Sequence, residues 1–213
     1  MIFDGTRLIV GLGNPGLIYA GNRHNVGFLV LKSLASSLKI KFKRDSSVSA
    51  LVAQDKIAQQ DVVLALPQTY MNLSGNAVKA LLKKFKVDPK NLLVVCDDLD
   101  LELGKIKIRS QGSSGGQRGL ESVIERLQTQ DFCRLRIGIG RPENSQDASK
   151  YVLSGFLRQE KVLLKQVEED AVSCCISWVE NGIAQTMSIT NKNSACRQGS
   201  VRIKINQQKE GGK

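Results

Sequence analysis

The chain has 213 residues, of which 41% are hydrophobic and 24% are charged, a balance typical of one soluble globular domain. Lysine and arginine outnumber aspartate and glutamate by 31 to 20, which gives a formal net charge of +11 at pH 7. That excess favours a polyanionic partner such as nucleic acid, or a membrane surface. Every apolar run is far shorter than the ~20 residues of a membrane span.

The five cysteines and the single histidine, His24, argue against a metal site and against disulfides. Five is an odd number, no Cys-x-x-Cys pair is present, and one histidine cannot complete a zinc set, so we expect no metal. We expect reduced thiols that pack as small hydrophobes. The first residues of the chain include an acid, Asp4, and contain no long apolar segment, so we expect a cytoplasmic protein without a secretory signal.

Alternation of apolar residues and helical spacing predict strands and helices that follow one another along the chain. Ser74–Phe85, for example, places its apolar residues on one face of a helix and its lysines mostly opposite. The predicted strands are 6–11, 48–53, 61–66, 91–96, 105–109 and 132–139, and the predicted helices are 24–38, 74–85, 120–127 and 158–181, the last ending at Gly182. This order predicts a single α/β domain over 1–189, with a mixed, twisted β-sheet flanked by helices.

Residues 190–213 change character, because apolar periodicity is lost and basic residues accumulate. We expect a disordered basic tail there, and the alternative is an arm that adds non-specific affinity for RNA. The basic residues are Lys192, Arg197, Arg202, Lys204, Lys209 and Lys213.

Two glycine-rich segments match known motifs only in outline. Gly11–Gly16 fits G-x-G-x-x-G after a strand, but no helix is predicted to start there and no acid occurs from 17 to 44 to bind a ribose, so we expect no dinucleotide cofactor. Residues 112–116 fit G-x-S-x-G, but the partner histidine of such a serine should follow it in the chain, and His24 precedes Ser114. A glycine loop that faces phosphate is the better interpretation of 112–116.

His24 is the candidate for acid–base chemistry, because it alone has an ordinary pKa near neutral pH. Asn14 and Asp97 each follow a predicted strand, and Asn72 lies in the turn after another. The carboxyl ends of parallel strands meet at one edge of a sheet, so these four residues are expected to share a pocket. A carboxylate beside an imidazole holds its tautomer, and carboxamides bind a peptide backbone or a developing oxyanion.

Six sequence blocks in order resemble bacterial peptidyl-tRNA hydrolases, from about Arg7 to Gly182. The blocks are Gly11-Leu-Gly-Asn-Pro-Gly16, Asn22-Arg-His-Asn-Val-Gly27, Pro67-Gln-Thr-Tyr-Met-Asn-Leu-Ser-Gly75, Asp97-Asp-Leu-Asp-Leu101, Gly115-Gly-Gln-Arg-Gly-Leu120 and Arg134-Leu-Arg-Ile-Gly-Ile-Gly-Arg-Pro142. The resemblance implies a single α/β domain that uses no metal or other cofactor. It also implies hydrolysis of the ester between peptide and tRNA, which recycles tRNA dropped by ribosomes.

The resemblance also implies roles for particular residues. His24 matches the base that activates water, Asp97 the acid that assists it, and Asn14 the residue that helps tell blocked from free aminoacyl-tRNA. Asn72 matches a binder of the peptide main chain, and Tyr19 and Tyr70 fall at substrate-contact positions. Because they adjoin the glycine loop, Lys105, Lys107 and Arg109 are candidates for contact with the tRNA acceptor stem. We expect a monomer that binds peptidyl-tRNA and no membrane.

The chain departs from the family pattern in two places. Gln117-Arg118 stands where the family commonly has His-Asn, and Cys96 stands where it commonly has His. Gln117 keeps the ability to hydrogen-bond, and Arg118 is a candidate contact for substrate or RNA phosphate. Gln117-Arg118, together with the basic tail, leaves open an alternative: a non-catalytic RNA-binding relative that resembles the splicing factors of plant organelles.

Overall fold

A computed structural model describes the backbone of residues 5–142 and 147–210, with side chains over 5–142 and 147–192. Within these residues the strands are β1 (Arg7–Gly11), β2 (Lys43–Asp45), β3 (Ala50–Ile57), β4 (Gln60–Pro67), β5 (Leu92–Asp98), β6 (Ile106–Arg109) and β7 (Cys133–Gly138). The helices are α1 (Val26–Ser37), α2 (Ser74–Phe85), α3 (Arg118–Leu127), α4 (Ala148–Val152) and α5 (Glu160–Glu210).

The described strands form one mixed sheet in the order β2-β3-β4-β1-β5-β7-β6. The four central strands, β4, β1, β5 and β7, are parallel, whereas β2, β3 and β6 pair antiparallel at the two sides. The carboxyl ends of the parallel strands therefore lie along one edge of the sheet. This edge is where the segments after β1, β4 and β5 come together.

Helices cover both faces of the sheet, so the central strands are buried throughout. On one face α1 and α5 pack over Ile9, Leu64 and Val95. On the other face α2 and α3 pack over Val10 and Val94, which are next to Ile9 and Val95 in the chain. Successive side chains of a strand point to opposite faces of the sheet, and here helices cover both faces. The apolar residues of these short strands are therefore buried whichever face they point to, which explains why the apolar runs are continuous.

The fold class predicted from sequence is confirmed: a mixed, twisted sheet with flanking helices. Helix α2 has the predicted limits, since its apolar face is unambiguous. Strand β3 is longer than predicted, because a two-residue turn at Ala58 and Gln59, both with positive φ, joins it directly to β4. The short elements β2 and α4 were not predicted, and each is too brief to show a hydrophobic period.

Helix α5 contains a break at Gly182, where φ is 75° and ψ is 176°. The predicted helix end thus lies where the backbone leaves helical geometry, but the chain then resumes a helix. Beyond the break Thr190 is buried and its hydroxyl donates to Cys174 Sγ at 3.4 Å. Asn191 pairs with the backbone of β6: Ile108 N–H donates to Asn191 Oδ1 at 3.1 Å, and Asn191 Nδ2 donates to Ile108 O at 3.2 Å.

The predicted disorder of 190–213 stays a prediction. Thr190 and Asn191 make the contacts just given, while the side chains from 193 onward and the residues 211–213 lie outside the described part of the chain. No helix among the described residues is long and apolar enough to cross a membrane.

Candidate active site

A cavity of about 330 Å³ opens at the carboxyl edge of the sheet. Residues from the ends of β1, β4 and β5, from the glycine-rich loop before α3, and from α4 line it. The four residues expected to share a pocket all lie there, together with two of the other predicted contacts. These lining residues are Asn14, His24, Tyr70, Asn72, Asp97 and Arg118.

His24 and Asp97 form a buried pair in this cavity. His24 Nδ1 lies 2.9 Å from both carboxylate oxygens of Asp97, and the two residues are 8% and 3% exposed. A carboxylate can only accept a hydrogen bond, so the neutral ring carries its proton on Nδ1. Nε2 is then the ring nitrogen with a free lone pair, the arrangement of a general base held by an acid.

The backbone brings His24 to the end of β5 through an unusually close approach of α1 to the sheet. His24 sits in a 3₁₀ turn, Arg23–Asn25, directly before α1. A Cβ added at Gly27, in the first turn of α1, would lie 2.4 Å from Val95 O and 2.6 Å from Leu12 O. Only glycine permits this approach, and it sets the short distance between His24 and Asp97 at the end of the same strand.

Asn14 is fixed by three hydrogen bonds that also orient its side-chain amide. Its Oδ1 accepts from Met71 N at 2.8 Å, while its backbone N–H and C=O pair with the side chain of Asn25 at 2.8 and 2.9 Å. Because Oδ1 is engaged by a donor, the NH₂ group is the part of the amide available to a bound molecule. The site therefore holds a fixed donor near the His24–Asp97 pair.

The mouth of the cavity, formed by Tyr70, Asn72 and Arg118, is more exposed than its floor, formed by Asn14, His24 and Asp97. Tyr70 is 61% exposed, and Asn72 and Arg118 are also exposed, although all three line the cavity. Met71, between Tyr70 and Asn72, is buried and anchors the turn through its N–H to Asn14. Aromatic, amide and guanidinium groups thus surround the opening, free to meet a large ligand.

Gln117, whose role the sequence left uncertain, contacts the acid of the pair. Its Nε2 donates to Asp97 Oδ1 at 3.0 Å, and its Oε1 accepts from Leu120 N at 2.7 Å at the start of α3. The sequence showed that Gln117 can hydrogen-bond but could not identify the partner, because the two residues lie on different elements.

Arginine side chains on β7 were missed as part of the site. Arg136 lines the cavity and pairs with the buried Asp98, with Nε 2.5 Å from Oδ2. Arg134, two residues earlier, is 1% exposed although its side chain is charged. It donates to the carbonyls of Gly112 and Ser113 and so supports the glycine-rich loop from beneath. The alternation of Arg134 and Arg136 with apolar residues was the available signal.

One wall of the cavity comes from α4 and Leu153, which sequence analysis did not predict. This wall is joined to the turn that carries His24. Arg23 is 3% exposed, pairs with Glu160 at 2.8 Å and stacks over the ring of Tyr151, its guanidinium carbon 4.5 Å from the ring centre. Arg23 N–H also donates to Ser154 O at 2.9 Å. Position 23 therefore fixes the wall relative to the base.

Four other predicted site residues do not line this cavity. Tyr19 is half-buried in a 3₁₀ turn outside it. Lys105 pairs with Glu102 at 2.8 Å, Lys107 is half-buried on β6, and Arg109 is exposed at the end of the same strand. A role for these residues requires a ligand that extends beyond the cavity.

The structure gives no support to the two outline motifs. A 3₁₀ turn, Leu17–Tyr19, follows Gly16 at the place where the dinucleotide motif requires an α-helix to begin. Ser114 lines the cavity, but its Oγ accepts from Gly116 N at 3.3 Å within its own loop.

The cysteines whose side chains are described, Cys96, Cys133, Cys174 and Cys175, are buried free thiols. Burial raises the pKa of the Cys96 thiol well above its ordinary value, so this residue beside Asp97 is a neutral hydrophobe. Cys196 lies outside the described side chains. Within the described part of the chain, no cluster of three or more His, Cys, Asp or Glu residues could hold a metal ion.

Comparisons with known proteins agree on one family. Residues 8–198 match the model of the family described as peptidyl-tRNA hydrolase. A peptidyl-tRNA hydrolase of a Sulfurihydrogenibium species is 47% identical over 88% of this chain and 98% of its own length. The corresponding protein of Aquifex aeolicus is 46% identical over 87% of this chain and 96% of its own length.

A solved structure shows the same architecture. The crystal structure of a peptidyl-tRNA hydrolase from Acinetobacter baumannii superposes with a TM-score of 0.81 at 36% sequence identity. The match covers 86% of this chain and 93% of the other.

Proposed function

This chain belongs to the peptidyl-tRNA hydrolase family, and from that premise we propose a mechanism in which His24 is the general base. The reaction is hydrolysis of the ester that joins a peptide, or an N-blocked aminoacyl group, to the 3′ end of tRNA. The observation that supports His24 in this role is the buried His24–Asp97 pair in the cavity, with Nδ1 2.9 Å from both carboxylate oxygens.

His24 Nε2 accepts a proton from a water molecule as the water oxygen attacks the ester carbonyl. Asp97 accepts the Nδ1 proton in a hydrogen bond and balances the positive charge that the ring gains. The ester C–O bond then breaks, and the proton held on Nε2 passes to the 3′ oxygen of the tRNA. The products are free tRNA and a peptide carboxylic acid, which loses its proton to solvent.

Asn14 contributes a donor that is already oriented. Met71 N–H occupies Asn14 Oδ1, so the NH₂ group faces the substrate without further rearrangement. We assign it to the blocked aminoacyl group or to the developing oxyanion. Asn72 and Tyr70, both exposed at the mouth, are assigned to the peptide main chain and side chains.

Contacts with tRNA lie outside the cavity. Arg118 is exposed at the mouth, and Lys107 and Arg109 lie on β6, whose neighbour β7 carries the cavity residue Arg136. Lys105, although paired with Glu102, and Tyr19 are assigned to the same extended substrate. The net charge of +11 suits binding of phosphates. We propose that the protein acts in the cytoplasm as a monomer.

The test is release of an N-blocked amino acid from tRNA by the wild-type chain and by His24→Ala. Loss of the general base is expected to lower kcat by about 10²–10⁴-fold. Ser114→Ala serves as the control, because it removes the one candidate nucleophile of the G-x-S-x-G segment. We expect it to retain most of the turnover. Equal rates for wild type and His24→Ala would refute the mechanism, and loss of turnover in Ser114→Ala would favour a serine esterase.

The comparisons give no support to the alternative of a non-catalytic RNA-binding relative. The same assay addresses it directly, because such a protein would bind tRNA tightly without turnover. Hydrolysis by the wild-type chain at tRNA concentrations that saturate binding would exclude it.

A further inference from the structure

The side chain of Gln117 joins the start of α3 to the acid of the His24–Asp97 pair. Gln117 is the residue that precedes α3, and its Oε1 accepts from the backbone N–H of Leu120 at 2.7 Å. Its Nε2 donates to Asp97 Oδ1 at 3.0 Å. Both ends of the amide are therefore engaged. The oxygen is held by the backbone of a helix, and Nε2 donates to the Asp97 carboxylate and also to Met71 Sδ at 3.4 Å.

The helix determines which end of the amide faces Asp97. A backbone N–H can only donate, so the atom bonded to Leu120 must be the oxygen of the amide. This contact is an ordinary N-terminal cap, in which the side chain reaches the third residue of the helix. The NH₂ group is then directed at Asp97, and since the amide does not titrate, it donates at every pH.

Asp97 has few other sources of orientation. It is 3% exposed, so bulk water cannot satisfy its oxygens, and His24 Nδ1 lies equally distant from both of them. A histidine placed symmetrically between two oxygens fixes the carboxylate plane weakly, because rotation about the last bond of an aspartate is soft. The bond from Gln117 goes to Oδ1 alone and removes that freedom.

We propose that Gln117 is a positioning residue, which fixes the plane of the Asp97 carboxylate and, through it, the ring of His24. The proposal rests on the function assigned to His24 and Asp97 above. Gln117 would contribute to the rate through Asp97 and not by touching the ester. It would therefore change kcat more than KM.

Other charged or titratable groups lie close to Asp97, so their own contacts matter for any test that uses pH. Asp98 pairs with Arg136, and Cys96 is a buried neutral thiol. Arg118, next to Gln117, is exposed at the mouth. None of these bonds is made by Gln117, so a change confined to its amide leaves them in place.

The decisive variant is Gln117→Glu, which keeps the length of the side chain and the oxygen that caps α3. The introduced carboxyl donates to Asp97 only while it is protonated, and two carboxyls in contact hold one proton to higher pH than an isolated acid would. We expect kcat close to wild type at low pH and a fall of about 10- to 100-fold as the carboxyl ionises, with KM little changed. The pH–rate profile would thus gain a descending limb that the wild type lacks.

Gln128→Glu is the matched control. Gln128 lies at the other end of α3, is exposed, and donates to the backbone of Glu125. The same substitution there adds the same charge to the same helix without reaching Asp97. We expect its kcat and pH–rate profile to match those of the wild type.

The outcomes separate this proposal from the proposed function. If His24→Ala abolishes turnover but Gln117→Glu has the pH–rate profile of the wild type, the positioning role is wrong and the mechanism stands. A loss that is equal at every pH, accompanied by a lower melting temperature, would identify a helix cap only and would also refute the proposal. Should Gln117→Glu not fold, Gln117→Met decides: a 10- to 100-fold lower kcat at unchanged KM supports it, and an unchanged kcat refutes it.

Discussion

The floor and the mouth of the cavity are built on different principles. On the floor, Asn14, His24 and Asp97 are buried, and each is held by hydrogen bonds to residues from other elements. At the mouth, Tyr70, Asn72 and Arg118 are exposed and free to adapt. A reacting ester needs fixed groups, because misplacement of the base costs rate, whereas a variable peptide on a large RNA needs contacts that adjust. The difference predicts that substitutions on the floor change kcat and those at the mouth change KM.

The largest effect on the floor is expected from Asp97→Asn. The amide keeps the size of the carboxylate but cannot balance the charge that His24 gains, and its NH₂ group can select the wrong ring tautomer. We expect kcat to fall by about 10²–10⁴-fold with little change in KM. Asp100→Asn, an exposed change three residues further along that disturbs only a surface pair with Arg141, should leave kcat unchanged. A higher KM with an unchanged kcat would contradict the role assigned to Asp97.

A smaller effect is expected when the support of the floor is disturbed. In Gly27→Ala the new methyl group would meet the backbone oxygens of Val95 and Leu12, at 2.4 and 2.6 Å. We expect a loss of about 1–3 kcal/mol in the free energy of unfolding, measured by denaturant titration, and a lower kcat as His24 moves.

Gly21→Ala is the comparison for that variant, because Gly21 flanks the same turn but has nothing within 4 Å of an added Cβ. Its free energy of unfolding should stay within about 0.5 kcal/mol of the wild type. Equal destabilisation by both substitutions would show that the close approach of α1 to the sheet is not what fixes the turn.

At the mouth, Asn72→Ala removes one exposed hydrogen-bonding group. We expect KM for blocked aminoacyl-tRNA to rise by about 2- to 10-fold, since one hydrogen bond is lost, while kcat stays near wild type. Asn76→Ala changes an exposed asparagine in the first turn of α2 and should change neither constant. A kcat effect larger than the KM effect would place Asn72 with the floor and not with the mouth.

The smallest effect is expected from the edge strand β6. Combined Lys107→Gln and Arg109→Gln should raise KM a few-fold at low ionic strength and reduce the salt dependence of tRNA binding by roughly one unit of log–log slope per lost phosphate contact. Lys43→Gln with Arg44→Gln removes the same charges from β2, the strand at the opposite side of the sheet. Indistinguishable slopes for the two pairs would mean that net charge alone, and not β6, attracts the RNA.

The sequence predicted those parts of the molecule that are locally encoded. Helix α2 and the central strands follow from hydrophobic period, and the meeting of Asn14, His24, Asn72 and Asp97 follows from the rule that parallel strands end at one edge. The roles of these residues came from the family resemblance and stay proposals.

What the sequence could not supply are contacts between distant elements. Nothing local indicates that Gln117 bonds to Asp97, that Arg134 is buried beneath the glycine-rich loop, or that Arg23 supports a wall made by residues more than 120 positions later. Helix α4 has five residues and no period to detect. Each of these features is decided by packing, which a single sequence does not reveal.

The pairing of Asn191 with Ile108 also determines how this sheet meets other molecules. A strand at the edge of a sheet has unpaired backbone N–H and C=O groups that can pair with a strand of another chain. Native proteins commonly protect these groups with a helix or a loop. Here a single carboxamide from α5 occupies both groups of Ile108, at 3.1 and 3.2 Å. A chain shortened to end before Asn191 would lose this partner of Ile108, and the two backbone groups of Ile108 would then be open to pairing with a strand of another molecule.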